Sequence, residues 1–204
     1  MEKQRLLIDR KTYLRHLLPI GKGKNKLMEK FIFKELPNGY VIFNVKEVDR
    51  RIRLLAKHLV NKDIMIINRN KRFFYSLKKF EEITGIKVYL GRFLPGTFTN
   101  YSSENFREPD AILVFDLVND KQAVREAYKM NIPIFALCNS KSNPSKVDFI
   151  IPINNKSKKS ITLFLYLLAR EILLLRGQIK SYKDFNYKIE DFLEEKTAIS
   201  ISTK

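Results

Sequence analysis

Between residues 40 and 175, short apolar runs alternate with longer runs of helical period, and this alternation restricts the fold more than any other feature of the chain. Ile64-Met65-Ile66-Ile67, Ala111-Ile112-Leu113-Val114-Phe115 and Ile134-Phe135-Ala136-Leu137 are continuously apolar. Runs of that length without polar alternation suit strands covered on both faces. Tyr40–Phe43, after a Pro37-Asn38-Gly39 turn, reads as the first strand, and Val88–Leu90 and Phe149–Ile151 as further ones. Between them, Val48, Ile52, Leu55, Ala56 and Leu59 mark one helical face, and Phe73, Leu77, Phe80 and Thr84 another, with Gly85 as its cap. Asn119 or Asp120 is placed to cap a helix carrying Ala123, Ala127 and Met130, and Ser157 or Ser160 a long apolar helix ending at Gly177. Strands alternating with helices predict parallel βαβ units in a three-layer α/β domain.

The alternation fails once. After Val88-Tyr89-Leu90, about twenty residues pass without a helical pattern, a length uncommon in compact domains and usually functional. Gly91-Arg92-Phe93-Leu94-Pro95-Gly96-Thr97-Phe98-Thr99-Asn100 opens this stretch, and its aromatics, with Tyr101, predict an ordered loop. Phe93 and Phe98 are expected to pin it to the core, leaving Arg92 to meet a phosphate.

The expected organisation is a basic N-terminal extension over 1–38, an α/β domain over 39–177, and a tail over 178–204. The tail carries Phe185, Ile189, Phe192 and Leu193 at helical spacing. A short amphipathic helix there either packs back on the domain or docks on a neighbouring protein. In the second case Phe185, Ile189 and Phe192 are the contacts.

The net charge of +17 is uneven: residues 1–100 hold 23 Lys and Arg against 9 Asp and Glu, and residues 101–204 hold 16 against 13. So basic a chain points to an anionic partner, nucleic acid first among them. Lys22, Lys24, Lys26 and Lys30 fall in a Gly- and Asn-containing loop that is expected to be flexible. Arg69, Lys71 and Arg72 precede one helix, and Lys156, Lys158 and Lys159 another, where helix N-termini favour anions. Arg50, Arg51, Arg53 and Lys57 are ambiguous, because Glu47–Arg51 and Asp49–Arg53 are spaced to pair along the helix.

Enzymatic signals are weak. Neither G-x-G-x-x-G nor G-x-x-x-x-G-K-[ST] occurs, so the close backbone approach that a pyrophosphate needs has no glycine loop. The single cysteine, Cys138, lies in an apolar run, and His16 and His58 have no partner at metal-ligand spacing. Asp110, Asp116 and Asp120 flank one strand and read as caps, with Mg²⁺ binding the alternative. No catalytic residue, metal or cofactor is expected. Nor is a signal peptide or membrane span, so the chain reads as cytoplasmic.

The Gly91–Asn100 run resembles the signature of the universal small-subunit ribosomal protein S-two family, in its archaeal and eukaryotic branch, which includes the laminin-receptor precursor. Asp49-Arg50-Arg51-Ile52-Arg53, Glu108-Pro109-Asp110, Asp120-Lys121-Gln122-Ala123-Val124, Asn154-Asn155-Lys156 and Leu167-Leu168-Ala169-Arg170-Glu171 agree in order and spacing. The chain departs from the family at Pro19 (usually His), Asn44 and Asn139 (usually Asp) and Ser157 (usually Gly). The resemblance implies a flavodoxin-like sheet of about five strands without catalysis. It also implies a place between head and body of the small subunit, with small-subunit rRNA and neighbouring ribosomal proteins as partners and no homo-oligomer. The competing reading is a nucleotide- or phosphosugar-binding α/β enzyme with a non-standard loop.

Overall fold

The computed structural model describes residues 6–193. A short helix α1 (Arg10–Arg15) precedes three strands, β1 (Ile20–Lys22), β2 (Ile32–Glu35) and β3 (Tyr40–Phe43), which form an antiparallel sheet ordered β1-β3-β2. Helix α2 (Val45–Asn61) leads into a second sheet of β4 (Ile64–Asn68), β5 (Val88–Leu90), β6 (Ala111–Val114), β7 (Ile134–Cys138) and β8 (Phe149–Pro152). All its pairings are parallel, in the order β5-β4-β6-β7-β8. This is the flavodoxin-like order, in which the direction of winding reverses beside the first strand. The crossover helices are α3 (Phe74–Thr84) and α4 (Lys121–Lys129), and α5 (Lys158–Leu175) follows the last strand.

β4, β6 and β7 are buried along their whole length, as their uninterrupted apolar sequences predict. Helices α2 and α3 both pack on α5, one layer of the sandwich. Because right-handed crossovers run in opposite directions from β4 and from β6, α4 covers the other face. The loop after β5 takes the place of the missing helix on that face. Glu126 of α4 is buried and accepts from the Gly96 N–H at 2.9 Å and the Phe98 N–H at 3.4 Å. Phe98 is buried, with the Phe93 ring tilted against it at 5.0 Å between centres, so these aromatics do anchor the loop.

Two expectations need correction. Tyr40–Phe43 is not part of the parallel sheet. Its burial alternates, with Val41 and Phe43 inside and Tyr40 outside, which suits an antiparallel sheet with one wet face. The boundary expected at 38/39 therefore falls inside a sheet, and Leu7, Tyr13, Leu18, Met28 and Phe31 belong to the same core as the parallel strands. Nor is the 22–30 segment a flexible loop. Lys22 lies in β1, and Lys26–Phe31 is a 3-10 helix whose first turn is capped by the Asn25 side chain.

The tail is also corrected, as far as it is described. It holds two 3-10 turns, Tyr182–Asp184 and Ile189–Phe192, in place of an amphipathic α-helix. Phe185 and Phe192 are buried, each ring edge-on to Tyr166 of α5, and Ile189 packs partly buried beside them. Ser76 of α3 donates to the Phe192 carbonyl at 2.6 Å. These side chains pack into the core of their own chain. Of the residues expected in the tail, 194–204 lie outside the described ones.

Candidate nucleic-acid interface

The carboxyl ends of the strands carry asparagine and aspartate, and these side chains tie the loops together. Asn155 donates through Nδ2 to the Phe115 carbonyl at 2.9 Å and the Leu137 carbonyl at 3.1 Å. Its Oδ1 accepts from Asn139 at 2.9 Å, so one side chain joins the ends of β6, β7 and β8. Of Asn119 and Asp120, the two expected caps of α4, Asp120 holds the cap position without a side-chain cap. Its carboxylate instead accepts from the Arg69 N–H at 3.1 Å and the Asp116 N–H at 3.3 Å, linking the ends of β4 and β6.

The same edge repeats one local device. Asn44, Asn70, Asn139 and Asn154 each accept, through Oδ1, from the backbone N–H two residues on. The residue two on is Lys46, Arg72, Lys141 or Lys156, and all four are exposed. The asparagine satisfies the turn and fixes the backbone from which the cation extends. This Asn-x-cation spacing is visible in the sequence. Reading it would have added Lys141, which charge clustering alone does not reveal.

The fold separates the candidate cations into groups. Arg69, Lys71 and Arg72 are exposed at the start of α3, and the 71–73 turn packs against α5, whose own start carries exposed Lys156 and Lys159 and half-buried Lys158. These two clusters therefore belong to one side of the molecule. Lys22, Lys141 and Lys156 rim a cleft between β1 and the ends of β6 to β8. Lys156 is ion-paired with buried Asp116, which holds it at that rim.

The remaining candidates lie apart. Lys24 is held by Glu35 at 2.8 Å and Glu29 at 3.5 Å, so part of its charge is answered within the chain. Lys26 and Lys30 are exposed on the 3-10 helix. Arg92 is exposed beside a depression of about 220 Å³ that it lines with Tyr89, Asn105 and Arg107. Within the ambiguous α2 cluster, Arg51 resolves toward structure. Arg51 pairs with Glu47, donates to the Ile150 carbonyl of edge strand β8 at 2.7 Å, and lies over the rings of Phe31 and Phe149.

Among the described residues neither the cysteine nor the histidines are activated. Burial pushes the Cys138 thiol up to about 12, which keeps it protonated, and lowers the His16 imidazole. His58 packs edge-on against Phe135 and Phe149. Asp120 is raised to about 7 by burial, opposed by the two backbone N–H groups and reinforced by the Asp116 charge. Asp110 is occupied by the Asp63 N–H, and among the described residues no His, Cys, Asp and Glu side chains gather as a metal site. Among the same residues no helix is long and apolar enough to cross a membrane.

Residues 103–174 match the sequence profile of a family described as "Ribosomal protein S2". The chain is also similar, along nearly its whole length, to archaeal proteins named "Small ribosomal subunit protein uS2". It is 39% identical to that of Methanococcus maripaludis (strain C6), covering 98% of this chain and 92% of the relative. The identity is 38% to that of Picrophilus torridus, covering 94% and 98%, and 41% to that of Thermofilum pendens, covering 92% and 89%.

Proposed function

The chain belongs to the ribosomal protein S2 family, and from that premise we propose that it grips small-subunit rRNA through the cation-bearing turns at the carboxyl edge of its parallel sheet. A structural role in the ribosome follows from the family itself, whose relatives are named as small-subunit proteins. The finer reading rests on one observation. Asparagine-fixed turns carry exposed Arg72, Lys141 and Lys156 at three strand ends of one sheet, with part of the Lys156 charge answered by Asp116. Arg69, Lys71, Lys158 and Lys159 flank them, and Lys22 faces Lys141 and Lys156 across the cleft. Such contacts neutralise phosphates and set orientation without reading bases. Lys24, Lys26, Lys30 and Arg92 are outlying contacts in this reading.

Neighbouring ribosomal proteins belong to the proposal too, with a place between head and body of the subunit. Leu94, Tyr101 and Tyr89 are exposed around the loop after β5 and offer the apolar contact that the buried tail aromatics do not.

The test is the salt dependence of binding to a small-subunit rRNA fragment. Each lost phosphate contact lowers the slope of log K against log salt by about 0.7–0.9. The combined Arg72→Gln, Lys141→Gln and Lys156→Gln variant should bind more weakly with a slope reduced by about 2. A slope equal to that of the unaltered chain would reject these turns as the grip.

A further inference from the structure

The cleft beneath Lys22, Lys141 and Lys156 is more than a charged surface. It holds about 640 Å³, and its walls include the exposed apolar groups Leu17, Tyr40 and Val118. That volume is in the range of small-ligand sites, and an apolar floor under a cationic rim matches a base joined to a phosphate. Tyr40 is 41% exposed and Val118 73%. Tyr40 belongs to β3 of the antiparallel sheet and Val118 to the turn after β6 of the parallel one, so the floor exists only because those two segments meet here.

The walls are held in place. The Ser140 hydroxyl donates to the Lys22 carbonyl at 3.3 Å, and the Asn25 N–H donates to the Ser140 carbonyl at 2.7 Å. On the other side the Asn154 N–H donates to the Leu18 carbonyl at 2.9 Å. Leu17 has a φ of 58°, in the left-handed region that a branched side chain rarely adopts, and its side chain lines the cleft. Lys22 is paired in register with Tyr40, and its ammonium lies 5.8 Å from the centre of that ring. The ammonium lies over the ring, so a base that stacks on this face displaces it, and the base's own phosphate receives the displaced Lys22. Asp116 also lines the cleft, but its carboxylate is occupied by the Val118 N–H, the Asn119 amide and Lys156.

We propose that this cleft receives a single unpaired nucleotide extruded from an RNA strand, its base stacked on Tyr40 and its phosphate on Lys22 and Lys141. The inference rests on the RNA-binding reading and adds to it a base contact within one site. Paired RNA cannot offer a base face to a cleft of this size, whereas bulges and loops present bases for stacking on aromatic side chains.

The experiment uses the full chain and two RNA hairpins with the same stem, one carrying a single bulged adenosine, compared by fluorescence anisotropy. The chain should bind the bulged hairpin about tenfold more tightly, the scale of one base–aromatic stack. Tyr40→Ala should abolish that preference while leaving affinity for the paired hairpin and its salt slope unchanged, and Tyr40→Phe should keep the preference. Equal affinity of the unaltered chain for the two hairpins would overturn the proposal, as would an equal loss for both in Tyr40→Ala. Saturable binding of free AMP without any bulge preference would also overturn it, in favour of a mononucleotide pocket. Failure to bind even the paired hairpin at low salt would instead reject the RNA-binding reading beneath it. Unchanged urea midpoints of both variants separate a lost contact from a lost fold.

Discussion

The Tyr13 hydroxyl donates to Asp49 Oδ1 at 2.7 Å, joining α1 to α2 across 36 residues of chain. Both groups are buried, and the carboxylate also accepts from the Leu7 N–H at 2.8 Å and Arg53 Nε at 3.0 Å. Burial first, and then the Asp49 charge, push the Tyr13 hydroxyl far above its ordinary range, so it stays a donor at any working pH. Removing the acceptor strands several donors, whereas removing the hydroxyl strands none. Asp49→Ala should therefore destabilise by about 3 kcal/mol and Tyr13→Phe by about 1 kcal/mol in urea unfolding. Equal losses would contradict this division.

Gly21 faces Ser140 so closely that a Cβ built on it would lie 2.8 Å from the Ser140 Cβ. Something must shift if that atom is added. Gly21→Ala should destabilise by about 1–3 kcal/mol, the usual penalty of overpacking. Ser140→Gly in the same chain should recover part of the loss, and differential scanning calorimetry of the two variants gives the comparison.

Asp120 gives stability a pH dependence. Its folded pKa of about 7 lies above the ordinary 3.8, so between those values the folded state binds the more protons. Its contribution is therefore fully present at low pH and is lost as pH rises toward about 7. The ceiling on that loss is about 4 kcal/mol. Glu47, held below the ordinary carboxylate range chiefly by the Arg50 hydrogen bond, acts with the opposite sign and only at lower pH. His16, lowered by burial, acts with the opposite sign within the same window, so the Asp120 contribution is read as a difference: in urea unfolding from pH 4 to 8, the unaltered chain should lose stability relative to Asp120→Asn as pH rises.

Phe192 tests the tail. Its ring is buried against Tyr166, and its carbonyl accepts from Ser76. Phe192→Ala should lower the stability of the isolated chain by about 3 kcal/mol, as large-to-small changes in a core do. Thermal unfolding without any partner present is the check, since a residue reserved for a partner would leave the midpoint unmoved.

Much of the fold was legible because periodicity is a local property. The uninterrupted apolar runs at 64–67, 111–115 and 134–137 require cover on both faces, and that fixes a parallel sheet between helices. The stretch after Leu90 declared itself as a helix missing from that pattern. Tyr40–Phe43 misled because an isolated four-residue apolar run does not reveal which strand it will pair with. Its partners, β1 and β2, are short and irregular in sequence.

The sequence by itself determined the order of elements, the excess of cations in the first half, and the asparagine turns that present Lys and Arg at strand ends. The tertiary structure alone decided how the cations are partnered within the chain. Lys24 is offset by Glu35, eleven positions away, while Arg51 is committed to the Ile150 carbonyl, 99 positions away. Lys22 and Lys141 meet across one cleft because Gly21 lets β1 close onto Ser140. Helical and strand periods are set by neighbours along the chain. Ion pairing and cleft shape depend on distances between segments far apart in it, and only packing fixes those.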